Sequence, residues 1–463
     1  MKSMSEKAKY EVSVMLFYAA FLFLWVTVLA PASRAGEGRL SIEQLEMVYY
    51  VQQVFLILGF LSYSALGRFF PAGRFRQAAA AGVFAAFFAG AAVLLFADKA
   101  RPFYLFAARA AVLCLGGLGG AVYHRMSRET ASGTATALCM GLGSALAIAL
   151  QYVLQIQWQS PLLPFVMLAA FLLLAKRMLT PDGRAQTETA SASGNVRPSR
   201  LLTACLITAL FLLFVCFYNE VIHHRTILSD SAAPGAYTWP RLMLIPCYVL
   251  FALIGDKKQG RLVPITALII ALAATLNSVL AGSGGASYWL NMCLFYCAVA
   301  ASVSYYTLTF WRLAPGTKHP ALWASMGRVI DSGMVLFTAG IGLDAMPTAA
   351  VMGLDIAGVA LIILLMAVSG DFNLKAEEAV EVPALLGPEE TLEKMRERYD
   401  LTARETEALR ELVLTEDKQT AISEHLSIKV GTLQNYVTRL YQKTGATTRA
   451  GLTDLYHESR HQS

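Results

Sequence analysis

Residues 201–222 read LLTACLITALFLLFVCFYNEVI, an apolar run that meets a polar pair, Asn219 and Glu220, only near its end. A bilayer core accommodates about 20 apolar residues as one helix, because lipid offers the backbone N–H and C=O groups no partner outside the helix itself. The run therefore predicts a membrane-spanning helix. Comparable windows precede it near 12–30, 46–66, 78–97, 103–123, 134–154 and 161–178, and follow it near 237–254, 262–281, 289–311, 322–342 and 346–368. Twelve spans result, in an all-α chain of 463 residues that is 56% hydrophobic and only 15% charged. Soluble globular domains do not normally reach that balance.

The spans divide six and six around residues 179–200, whose Thr180-Pro181-Asp182-Gly183 start and Ser/Ala-rich middle predict a flexible central loop. Two membrane halves follow, 1–178 and 201–370. Lys2, Lys7 and Lys9 before the first span and Ala30-Pro31-Ala32 behind it are marks of a cleaved leader. The apolar run is long for a leader, however, and eleven spans would leave the C-terminus outside, so the expectation is an uncleaved first helix. With the N-terminus in the cytoplasm, inside loops carry 18 Lys and Arg residues and outside loops five: Arg34, Arg39, Lys99, Arg101 and Arg225. Cytoplasmic loops hold the basic excess in membrane proteins, so both termini are expected in the cytoplasm.

The loops also carry a resemblance. Gly255-Asp256-Lys257-Lys258-Gln259-Gly260-Arg261, after the eighth span, is similar to the G-x-x-x-D-R-x-G-R-R loop motif of the major facilitator superfamily, and Arg68, Arg74 and Arg76, near Gly67 and Gly73, occupy the equivalent loop after the second. The later copy has an extra residue between Lys257 and Gly260, and the earlier one lacks the Asp. The resemblance implies a major-facilitator-like bundle of two six-helix halves. Charge within a span is costly and usually serves a purpose. Arg109, followed by the glycine-rich stretch 116–120, and Asn219 with Glu220 are the candidate ligand residues, expected at the junction of the halves. Arg241, Arg328 and Asp331 are expected to snorkel or pair near span ends, and the glycines to be packing faces. Trp158, Tyr237, Trp239, Trp289 and Trp311 are expected to form an interfacial belt.

Beyond residue 370 the composition changes: residues 371–463 hold 12 Lys and Arg against 17 Asp and Glu, whereas residues 1–370 hold 26 against 15. Residues 371–398, with Pro383 and Pro388, read as a linker ending in a short helix near 389–398. Thr402-x-x-Glu405 is a capping box opening a helix to Leu414. Further helices are expected at 419–426, at 430–444 with Gly445 as a left-handed cap, and from about 447 to 456. Leu401, Thr402, Arg404, Glu405, Ile422, Leu426, Ile428, Thr432, Leu433, Lys443, Gly445 and Arg449 together resemble the LuxR-type (GerE-like) helix-turn-helix domain, here over 399–458. Ala421, Ser423, Lys429 and Tyr436 depart from that pattern, and the turn before the second helix is about one residue longer and lacks its usual Gly.

The resemblance implies binding to double-stranded DNA as a homodimer, with Gln434, Asn435 and Thr438 reading bases and Lys429, Thr432, Arg439, Lys443 and Arg449 contacting phosphate, Arg449 alternatively serving the fold. Between His425 and Thr453 four basic residues and no acidic one occur, a local positive face. The expectation is a transcriptional regulator in the bacterial inner membrane, surrounded by lipid and sensing a small molecule. The alternatives are a secondary transporter with a regulatory tail and a membrane-anchored protein-interaction tail. No catalytic constellation, metal site or cofactor motif is present. The seven cysteines all lie in apolar stretches, where they are expected as small buried hydrophobes, and His223-His224 reads as an interfacial pair.

Overall fold

The structure is a computed structural model that describes residues 6–69, 74–153, 162–179, 196–229, 239–280, 285–369, 388–415, 419–446 and 448–461. The described residues are all-helical and divide into two compact units, Met1–Leu374 and Lys375–Ser463. The central loop through residue 195, the linker up to residue 387, Trp158, Tyr237 and the side chains of Arg68, Arg74, Arg76, His223 and His224 lie outside the described residues.

The first unit contains α1 (Glu6–Ser33), α2 (Ile42–Phe69), α3 (Arg74–Phe96), α4 (Pro102–Ala131), α5 (Thr136–Gln151), α6 (Leu162–Leu179), α7 (Pro198–Ser229), α8 (Leu244–Gly255), α9 (Leu262–Leu280), α10 (Gly285–Leu313), α11 (Pro320–Gly340) and α12 (Thr348–Ser369). Among the described residues seven helices are long and apolar enough to cross a membrane: α1, α2, α4, α7, α9, α10 and α12. Part of α3, all of α5, and α8 with its leading turn form shorter apolar stretches. Polar side chains set α11 apart, since Ser325, Arg328 and Ser332 are buried along it. In the first half α2 packs on α4 and α1 on α5, in the second α12 packs on α7, and the halves join through α5 against α8 and α2 against α11.

Close approach at these seams depends on glycine. A Cβ at Gly116 of α4 would lie 2.6 Å from the Leu56 carbonyl oxygen of α2, and one at Gly141 of α5 would lie 2.6 Å from the Ala252 Cβ of α8. Without a driving hydrophobic effect between helices in lipid, such contacts carry the packing energy. Aromatics fill the centre: Tyr18, Phe21, Phe60 and Tyr123 are essentially unexposed. Trp311 belongs with them and not with an interfacial belt, because it lies fully buried, edge-on to Tyr18 and Tyr123 with both ring centroids at 5.5 Å. Trp239 and Trp289 do pair, at 5.2 Å. All seven cysteines are unbridged, with Cys139 and Cys247 buried.

The second unit consists of α13 (Pro388–Arg398), α14 (Ala403–Leu414), α15 (Gln419–His425), α16 (Val430–Thr444) and α17 (Arg449–His461). Its own core gathers Leu392, Met395, Leu401, Leu409, Leu412, Ile422, Leu433, Val437, Leu440, Leu452 and Tyr456. The short helix expected at the end of the linker is thus part of this core, through Leu392 and Met395 of α13, which packs on α14 and α17.

Candidate functional site

In the second unit the geometry begins with the capping box. The Glu405 N–H donates to the Thr402 hydroxyl (3.4 Å) and the Thr402 N–H donates to Glu405 Oε2 (2.9 Å). Glu405 is buried and its carboxylate receives a second donor, Lys443 Nζ at 2.8 Å, which also donates to the Asp400 carbonyl at 2.7 Å. Burial pushes the Glu405 carboxyl up, but Lys443 and Thr402 outweigh it and hold the group below the usual carboxylate range. Arg449 donates through Nε to the Leu412 carbonyl (2.8 Å) and through Nη2 to the Thr415 carbonyl (2.5 Å). Lys443 and Arg449 are therefore engaged in tying α16 and α17 to α14, the fold-serving role that was one alternative for Arg449.

The α15–α16 turn passes through Ser427 in the left-handed region (φ 53°), and the Ile428 N–H donates to the Ser423 carbonyl at 2.9 Å. Lys429 stands at the N-cap of α16 and makes no side-chain cap, and Gly445 closes the helix at φ 76°. With Leu433, Val437 and Leu440 buried, α16 leaves Gln434, Asn435, Thr438 and Arg439 exposed together on the opposite face. Lys429 is exposed and Thr432 half-buried, and the Thr438 hydroxyl donates back to the Gln434 carbonyl at 2.9 Å. The positions i, i+1, i+4 and i+5 lie on one stripe of a helix, so these four side chains share one exposed face.

In the membrane unit the three expected ligand residues come from both halves. Arg109 lines a small cavity formed by Ala32 of α1, Val48 and Gln52 of α2 and its own helix, all in the first half. The buried Gln52 has an Oε1 atom with no hydrogen-bond partner there. Asn219 is exposed and Glu220 half-buried on α7, in the second half. Apolar density cannot show which face of a span looks inward.

The group that does occupy the junction is Arg328. It lies inside α11, 8% exposed, rather than snorkelling from an end. Its Nε donates to the Tyr123 hydroxyl at 2.9 Å and its Nη1 to Asp331 Oδ2 at 3.1 Å, an oxygen that also accepts from the Tyr306 hydroxyl at 3.1 Å. The guanidinium carbon stands 4.9 Å from the Trp25 ring centroid and 5.4 Å from that of Tyr306. Trp25 and Tyr123 come from the first half and Tyr306, Arg328 and Asp331 from the second. A buried cation held by one carboxylate and two aromatic faces is well compensated, whereas loss of the partner alone would leave an unpaired charge in low dielectric. The i, i+3 spacing of Arg328 and Asp331 was the sequence signal for it.

The loop after α8 also joins the halves. Asp256 accepts the Ala137 and Leu138 N–H groups at 3.0 and 2.9 Å, so a second-half carboxylate caps the N-terminus of first-half α5. Arg312 Nη2 donates to the Gly255 carbonyl at 2.5 Å, and Gly260 adopts φ 78° against the Arg312 guanidinium. On α4, Glu129 accepts from Tyr10 of α1 at 2.7 Å and pairs with Arg125 at 2.7 Å. Deeper in the second half, Asn291 Oδ1 accepts from Tyr218 and Asn277, and the buried Asp355 accepts from Thr275. No group of three or more potential metal ligands occurs among the described residues.

No protein-family model and no curated protein matches the chain. Among solved structures it is similar to the human organic anion transporter MFSD10 (TETRAN), at a TM-score of 0.55 and 14% identity over 80% of this chain and 100% of the other. At that identity the likeness speaks for the fold alone: the chain contains a multi-helix membrane domain of major-facilitator-like architecture.

Proposed function

We propose that the membrane unit is a solute-binding bundle of the secondary-transporter type and that the C-terminal unit is its regulatory tail, all twelve helices α1–α12 crossing the bacterial inner membrane with both termini in the cytoplasm. The observation that carries this is the Arg328–Asp331 pair, enclosed by aromatic side chains from both halves, where a solute at the junction would meet charge. The likeness to a structure titled an organic anion transporter favours this reading over a purely regulatory one. The basic excess of the inside loops supports the orientation. The test is uptake by proteoliposomes of the full chain, screened across pooled small solutes. Accumulation driven by a solute or proton gradient is expected, and its absence for every pool would remove the transporter reading.

A second reading has its own support in the exposed stripe of α16. In it the tail is a LuxR-type helix-turn-helix and the chain a membrane-embedded transcriptional regulator, whose bundle senses a small molecule and shifts a homodimeric tail on or off DNA. Gln434 and Asn435 present side-chain amides, which pair bidentately with adenine in a major groove. Any such ligand shifts the equilibrium only by its differential affinity for the two states. Full chain in nanodiscs should then retard promoter DNA in a salt-dependent way. No retardation at low salt, even with the protein crosslinked as a dimer, would exclude the regulator and leave a protein-interaction tail.

A further inference from the structure

The surroundings of Arg328 are rich in donors and poor in acceptors. Besides the guanidinium, the Tyr306 hydroxyl points at the same carboxylate oxygen, while the fully buried Trp311 Nε1 is without a hydrogen-bond partner. Tyr18 and Trp311 touch edge-on, and Tyr123, which accepts from Arg328, touches Trp311 as well. A single carboxylate, Asp331, serves this set. An unmade hydrogen bond of a buried donor is costly, so such a site favours an occupant that brings acceptors. A cation would face Arg328 at close range, and a neutral apolar molecule would leave the donors unmet.

The two members of the pair also differ in exposure. The Arg328 side chain is 10% exposed and that of Asp331 29%, so the carboxylate is the more accessible of the two. Tyr49 of α2, Cys216 of α7 and Tyr306 of α10 face Asp331 from the neighbouring helices, and none brings a positive charge. Asp331 thus depends on Arg328 for its counter-charge and is the less enclosed of the two.

Resting on the reading of the bundle as solute-binding, we propose that Arg328 is the recognition residue for a small organic monocarboxylate with a flat apolar body. Asp331 is a resident counter-ion that the solute displaces. The solute carboxylate takes the fork of donors from Arg328, the geometry for which a guanidinium is suited, and the Trp25 and Tyr306 rings flank its apolar part. No covalent bond changes. Asp331 lowers affinity for the solute but keeps the empty site neutral.

The test is calorimetric titration of the full chain in nanodiscs with formate, acetate and benzoate, against formamide, acetamide and benzamide. The carboxylates are expected to bind and the amides not to bind. Removal of the competing charge in Asp331→Asn should tighten carboxylate binding at least tenfold, a gain that a misfolded variant cannot mimic. Arg328→Lys, which keeps the charge and loses the fork, should weaken it at least tenfold with the melting temperature retained. Equal binding of amides, weaker binding in Asp331→Asn, or no carboxylate bound below about 10 mM by either protein would overturn the proposal. Uptake of a neutral or cationic solute that persists in Arg328→Lys would also overturn it while leaving the solute-binding reading intact. Carboxylate binding without any uptake would do the reverse, sparing the proposal and removing transport.

Discussion

At the scale of single residues, the second unit shows how a few groups fix a small helical domain. Thr402, Glu405 and Lys443 form one network in which a carboxylate receives a backbone N–H and an ammonium, and its own N–H is capped in return. Thr402→Ala should cost about 1 kcal/mol, the usual value of an N-cap, read as faster amide exchange in α14 of the full chain. The Glu405 carboxyl is held low, so it binds protons less readily folded than unfolded. Its contribution is complete above the unfolded value of about 4.3 and is lost as pH falls through the lower folded value. Exchange protection of residues 401–445, corrected for intrinsic rates, should therefore drop below about pH 4. In Glu405→Gln the protection should be lower at neutral pH and lack that acid-side drop. On the exposed stripe of α16, the DNA reading makes separate demands. Gln434→Ala with Asn435→Ala should relax sequence preference by about 1–3 kcal/mol, whereas Arg439→Ala should weaken all sequences alike and reduce the salt slope by about one.

At the scale of helices, the membrane unit rests on close seams rather than on large apolar faces. The glycine-rich stretch 116–120 was legible as a packing face from its spacing, and α2 against α4 uses it: Gly59 and Gly116 bring the two backbones together. Gly116→Leu should force the pair apart at a cost of about 1–3 kcal/mol, seen as a lower melting temperature of the detergent-purified protein. Trp311 was not legible in the same way, since a tryptophan near a span end is usually interfacial. It is buried because its face of α10 turns toward α1 and α4, where Tyr18 and Tyr123 receive it. Hydropathy locates a span along the chain but does not fix its rotation about its own axis.

At the scale of the whole membrane unit, polar contacts reinforce the packing of the halves, among them the Arg328 cage at the junction and the Asp256 cap on α5. Asp256 was legible as part of a loop motif, though what it caps was not. Asp256→Asn should remove about 1 kcal/mol of helix capping and shift the balance between closed and open arrangements of the α5 and α8 ends about fivefold. Spin labels at those ends would read the shift as a longer distance population, and an unchanged distribution would deny Asp256 that role.

By itself the amino-acid sequence determined the helical, membrane-embedded character of the described residues before position 370, the placement of their helices and the separate capped helices of the tail. These follow from apolar run length, cap residues and turn residues, which act over a few positions along the chain. Only the tertiary structure decided which charges meet. Arg328 and Tyr123 are 205 positions apart, and Asp256 and Ala137 are 119. Such pairs form because buried charge must be compensated by whatever the packing of the halves brings within reach, and no local pattern encodes that choice.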